Sequence, residues 1–183
     1  MVIGDPYKMA FILERMPVWE TDGDSFRNGI MFLSIEGEVF PKEVRTTTFL
    51  SELPDILSLR PLPPSAFMDT VTDKELYDMP SDKLLAYLEN ITFPEDLDVD
   101  NDYRFLVPFT EINDSHFEVF MVSDGENVRV LVGKWSGLPY PDDAVDTRLY
   151  DIGHLELSAE TVITLDELGK LRRGLMGFYD SLK

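Results

Sequence analysis

Two histidines and one glycine-flanked serine are the side chains of this sequence equipped for acid–base or nucleophilic chemistry: His116, His154, and Ser136 in Gly133-Lys134-Trp135-Ser136-Gly137. A nucleophile elbow spaces its serine as G-x-S-x-G, so that a strained strand-to-helix turn lifts the hydroxyl clear of the sheet. Ser136 stands one position out of that frame. Neither histidine sits in an H-E-x-x-H pair, and there is no glycine-rich phosphate loop. His116 falls beside an expected turn and His154 follows Gly153 ahead of an amphipathic stretch, so both read as surface or half-buried residues rather than bases. With 35 Asp and Glu in the chain, close carboxylate pairs arise by number alone and mark no acid–base couple.

Carboxylates could also hold a metal. Asp96, Asp98, Asp100 and Asp102 alternate through 94–102 as the ligands of a calcium loop do. Counted from Asp98, however, the sixth position is Tyr103 where glycine is required, and the twelfth is Phe109 where a bidentate Glu closes the site. The segment therefore reads as a solvated acidic loop. No cysteine is present, which removes disulfides, thiolate metal sites and a cysteine nucleophile. The expectation is a protein without catalytic residues, cofactor or metal.

What the remaining candidates can do is recognise another surface. Trp135 and Tyr140 beside Asp142 and Asp143 combine aromatic anchors with acids, the makeup of a hot spot for a basic partner. With Asp96, Asp98, Asp100 and Asp102 they form the candidate partner-binding set, placed in loops that tolerate the variation specificity demands. A tryptophan at a strand end also serves a core, and that reading of Trp135 stands beside the first.

The 35 acidic against 16 basic residues leave a formal net charge of −19. Such a field repels nucleic acid and anionic membranes and accelerates encounters with basic proteins; it also keeps a protein soluble whatever its partners. A length of 183 residues suffices for one well-buried core, so a single domain over 1–183 is expected. The N-terminus shows no basic stretch followed by an apolar run, and no window reaches the roughly 18 apolar residues of a membrane span. A soluble, cytoplasmic protein without direct contact to nucleic acid or membrane is the expectation. Nothing in the residues sets an oligomeric state.

The elements that must position these side chains come as hairpins and helices. Residues 9–16 read as a first strand, with Trp19 plugging one end of the core. Ile30-Met31-Phe32-Leu33 is apolar at four successive positions, which places it inside a sheet with both faces covered. A two-residue turn at Glu36-Gly37 pairs Ser34 with Val39 and Leu33 with Phe40; pairing ends near Pro41 and resumes at 45–48. A short helix is expected over 53–59, a stiff connector at Pro61, Pro63 and Pro64, a helical turn or two over 73–79, and a helix from Ser81 carrying Leu84, Leu85 and Leu88. A two-residue turn at Asp124-Gly125 pairs Met121 with Val128 and Val119 with Val130 on an apolar face. The opposite face, with Glu118, Asn127 and Arg129, is expected to be partly wet, so that Arg129→Asp is tolerated. Phe105, Val107 and Phe109 join the apolar face as the first strand of a meander, and 149–157 adds a further strand. Thr164 and Glu167 form a capping box that opens the last helix. The class is α+β, an antiparallel sheet built from hairpins with helices packed on it.

One set of short motifs narrows the function. Gly4-Asp5-Pro6-Tyr7, Trp19, Asn28-Gly29, Ile35-Glu36-Gly37-Glu38, Pro41-Lys42-Glu43 and Arg45-Thr46-Thr47-Thr48 together resemble the bacterial immunity protein family 42 of polymorphic toxin systems. The resemblance implies a protein that binds and neutralises a cognate toxin domain without catalysis. The negative charge makes a basic toxin such as a nuclease the expected partner. The matching motifs look like turn and strand determinants and are not carried over as toxin contacts. A small enzyme or ligand-binding domain, with its site between helices and sheet, is the reading that the residues themselves leave open.

Overall fold

The computed structural model describes residues 1–20, 26–57, 71–96, 98–137 and 153–183. In it Glu36 and Gly37 both take positive φ, 53° and 83°, the mirror-image turn whose twist suits a two-residue hairpin. They join β3 (Asn28–Ile35) to β4 (Glu38–Phe40) with Leu33 opposite Phe40 and Ser34 opposite Val39, the expected register. Pairing stops before Pro41, and the chain returns as β5 (Thr47–Thr48) against the start of β3. β2 (Met9–Arg15) lines the other edge of β3, and β1 (Val2–Asp5), which the sequence pattern did not mark, adds an outer strand. β3 is interior as expected, but its apolar run alternates: Met31 and Leu33 are buried, Ile30 and Phe32 only half-buried. Trp19 lies in a single 3-10 turn at 41% exposure and plugs nothing.

A second antiparallel sheet is made by β6 (Phe117–Ser123), β7 (Asn127–Trp135) and β8 (Leu155–Thr164), in that order. Its register differs from the expectation by two residues: Met121 faces Val130, and Val119 faces Val132. Asp124 is the reason. Its carboxylate accepts the backbone N–H groups of Glu126 and Asn127 at 2.8 and 2.7 Å, so it closes the turn, and Gly125, at φ 101°, becomes the first of the two central residues. A shift of two preserves which side chains share a face. The third strand of the meander is β8, since 104–109 contributes only a bridge from Leu106 to Phe120 before the chain turns into α4 (Thr110–Asn113). Phe105 consequently packs apart from Val107 and Phe109, which enter the other cluster.

α1 (Phe49–Ile56) starts four residues ahead of the expected helix and holds Pro54 inside it. Asp73 caps α2 (Lys74–Tyr77), and α3 (Ser81–Thr92) follows Pro80. α5 (Leu165–Ser181) opens on the capping box of Thr164 and Glu167. The connector at Pro61, Pro63 and Pro64 lies outside the described residues.

The main core lies where the inner faces of the two sheets meet α1 and α5. Phe40 stands edge-on to Phe117 at 5.2 Å, and Phe49 to Phe178 at 5.0 Å. A second cluster fills the far side of the second sheet, where Leu76, Leu84, Leu85 and Leu88 cover Phe120, Val122 and Leu131. That cover corrects the reading of a partly wet face. Arg129 is 8% exposed: its guanidinium donates to Glu160 at 2.5 and 2.8 Å, to the carbonyls of Tyr77 and Met79 at 2.5 and 2.6 Å, and to the Ser81 hydroxyl at 3.1 Å. An aspartate there would face Glu160 and orphan those carbonyls, so Arg129→Asp is not a tolerated change. Among the described residues no helix is long and apolar enough to cross a membrane.

Candidate functional site

Trp135 ends β7 on the side of the sheet that α3 covers. Phe93, at the C-terminus of α3, meets its ring edge-on at 5.4 Å. The indole N–H donates to Glu118 Oε1 at 3.2 Å, and Asn113 Nδ2 donates to Glu118 Oε2. Glu118 is 6% exposed, and burial pushes its carboxyl up to about 7, against the pull of these two donors. The indole is therefore held against the second cluster at the strand end, with the residue half-buried.

The acidic loop begins where α3 ends. It folds back on the helix through Asp102 N to the Ile91 carbonyl and Asn101 Nδ2 to the Thr92 carbonyl, both at 2.7 Å. Asp96 accepts the Asp98 backbone N–H at 3.0 Å, which shapes the turn. Asp102 is gripped by Arg104, whose Nε and terminal N donate to its two oxygens at 2.6–3.0 Å, and these bonds hold its carboxyl below the usual range. The exposed acids Glu95, Asp98 and Asp100 of the loop have no ion pair among the described residues. No group of three or more metal-ligating side chains occurs among the described residues. Through Phe93, the structure brings Trp135 and this loop to one end of the second sheet. Tyr140, Asp142 and Asp143 lie outside the described residues.

Sequence reasoning missed Glu118 and Phe93 as the residues that seat Trp135. The register of β6 against β7 was the signal, since the corrected pairing sets Glu118 opposite Gly133, two residues from Trp135.

Ser136, His154 and Glu156 also come into a row. Ser136 Oγ lies 3.4 Å from His154 Nδ1, and His154 Nε2 lies 3.9 Å from Glu156. The second distance exceeds hydrogen-bond reach, and Ser136 Oγ accepts the backbone N–H of His154 at 3.1 Å. The row is open to water, with His154 73% and Glu156 67% exposed at their side chains. His116 is half-buried in a turn with φ 64°, and its carbonyl accepts the Trp135 backbone N–H. Over β6 and β7 the space between α3 and the sheet is filled by Leu84, Leu88, Phe120 and Leu131, each at 0% exposure, whereas a groove stays open between α3 and β8.

The motif residues serve the scaffold. A Cβ on Gly29 would strike the Glu14 carbonyl and the Phe49 ring, and Asp5 accepts the Tyr7 backbone N–H at 3.0 Å to form the first turn. No curated protein matches the chain. The crystal structure of CdiI from Burkholderia dolosa AUO158 shares the fold, with a TM-score of 0.65 and 20% identity over 97% of this chain and 99% of that one. The model of the family Immunity protein 42 matches residues 1–166, and by that match, which runs far beyond the motifs of the first third, the chain belongs to the immunity protein 42 family of toxin systems.

Proposed function

We propose that this immunity protein neutralises its cognate toxin by direct binding, and that the toxin is a basic domain such as a nuclease. What supports the reading is the formal charge of −19 together with the acidic loop of Asp98 and Asp100, which starts just after Phe93, the residue packed on Trp135. Exposed acids draw a basic partner in, and a firmly seated aromatic holds it. Binding of this kind needs no catalytic group, and the whole chain 1–183 acts as one domain in the bacterial cytoplasm, where a nuclease would meet its substrate.

The experiment uses the toxin domain encoded beside this chain's gene. Asp98→Asn with Asp100→Asn lowers the association rate and flattens its salt dependence, leaving dissociation nearly unchanged. Trp135→Ala raises the dissociation rate by an amount worth about 2 kcal/mol. Unchanged kinetics in both variants, each shown to be folded, would move the interface elsewhere.

A further inference from the structure

We propose that the groove between α3 and β8 receives an arginine or lysine borne on an apolar segment of the toxin; the inference rests on the immunity reading above. The groove measures ≈ 600 Å³, the size of a ligand pocket rather than a surface dimple. Its floor exists because of one irregularity. Between Val132 and Gly133 the pairing to β8 slips from Ala159 to Leu157, so Ser158 is an extra residue. Along an unbroken strand, Leu155 and Leu157 would share the core-facing side of Thr161 and Ile163; the bulge turns them toward α3 instead. Leu155 becomes buried against Leu85, in space kept open because Gly133 has no side chain, and Leu157 stays 43% exposed in the groove.

The rim has the opposite chemistry. Asp82, Glu95 and Glu156 stand around the apolar floor, His154 lies beside Glu156 at 3.9 Å, and no Lys or Arg among the described residues lines the groove. Glu89 is committed to the backbone N–H of Leu155 at 2.8 Å. Asp82 and Glu95 form no ion pair with any described residue. These acids are not gathered closely enough to hold a metal, since no such group exists among the described residues. An apolar trough edged by carboxylates, of which Asp82 and Glu95 have no ion pair among the described residues, is complementary to an aliphatic stem ending in a cation, which is what Arg and Lys present. It disfavours an anionic or purely apolar occupant, each of which would leave the acids desolvated without a partner. The groove is also continuous with the site already described, because Phe93 both lines it and supports Trp135.

The test measures binding of the toxin domain encoded beside this chain's gene. Asp82→Lys with Glu156→Lys, at two exposed positions, weakens the complex at least about tenfold, mainly through dissociation, with an unchanged thermal midpoint. Changing an Arg or Lys of the toxin to Glu restores affinity to this double variant and weakens binding to the wild type. Hydrogen exchange on the wild-type complex, which does not depend on any variant folding, shows slowed exchange at 153–158 and along α3. Tight binding by the wild type with no slowing there, or an unaffected, folded double variant, overturns the groove and leaves the immunity reading in place. A wild type that neither binds nor protects against the toxin overturns both.

Discussion

The first sheet gives one face to the core and leaves Ile30 and Phe32 half in water, whereas in the second β6 and β7 are covered on both sides and carry Glu118 and Arg129 at 6% and 8% exposure. Burying a charge is costly unless every hydrogen-bonding position is met. The second sheet meets that demand in two ways. Arg129 donates to Glu160, to two carbonyls around the end of α2 and to Ser81 at the start of α3. Glu118 is instead shifted toward the protonated form by burial. The one-sided sheet needs no such devices, since its strand charges Asp5, Glu14, Arg15 and Glu38 all stay exposed. The lesson is that the polar groups of the second sheet say where α2 and α3 must dock, and the candidate binding end is built on that docking.

The comparison breaks most readily at Arg129. Arg129→Ala costs about 3–5 kcal/mol in urea unfolding, as expected when one partner of a buried pair is removed, while Glu14→Ala stays within about 0.5 kcal/mol. Equal costs would mean that the cover over the second sheet is not what makes it different. Two-sided burial is sharpened by neighbours on one strand. Val130 and Leu131 point to opposite faces and are both 0% exposed, so truncating either is damaging, with Leu131→Ala at roughly 2–5 kcal/mol. In β3, Leu33→Ala falls in the same range but Ile30→Ala costs about 1 kcal/mol.

A smaller effect appears with pH. Glu118 and Glu52 are both pushed by burial up to about 7, and Glu52 accepts the Thr110 backbone N–H at 2.7 Å where α4 begins. Half-buried Glu111 is raised in the same direction, chiefly by desolvation. A carboxyl raised in the folded state keeps a proton that the unfolded chain has released. Its stabilising contribution is therefore complete below the ordinary carboxyl range near pH 4.5 and is lost as pH rises to about 7. Chemical denaturation should show stability falling by roughly 1–3 kcal/mol between about pH 5 and pH 8, with a shallower fall in Glu118→Gln. Asp102 and Asp124, held below the usual range by hydrogen bonds, act in the opposite sense but in more acidic solution. A local effect is expected at the joint between the second sheet and α5. Thr164→Ala removes the cap at 3.1 Å to Glu167 and costs about 1 kcal/mol by thermal melting.

How far the residues alone could be read differs between the two sheets for a physical reason. The Glu36-Gly37 hairpin was legible because both turn residues take positive φ and nothing competes for the turn. The Asp124-Gly125 hairpin slipped by two because Asp124 could also serve as a turn-closing acceptor, and that choice adds stability only once Asn127 sits opposite. The burial of Arg129 was not legible, since its cover comes from Tyr77, Met79 and Ser81, about fifty residues earlier in the chain. The seat of Trp135 was hidden likewise, being assembled from Phe93 and Glu118 on separate elements.

Turns, the capping box that opens α5, the α+β class and the family motifs were settled by neighbouring residues, because φ preferences and caps act over a few positions of chain. The exclusion of cysteine chemistry was settled by composition. That both faces of β7 are dry, how β8 bulges to open a groove and which acids stand at its rim were decided only when distant segments met. Burial and charge pairing depend on what covers a surface, and the covering segment is not encoded beside the residues it covers.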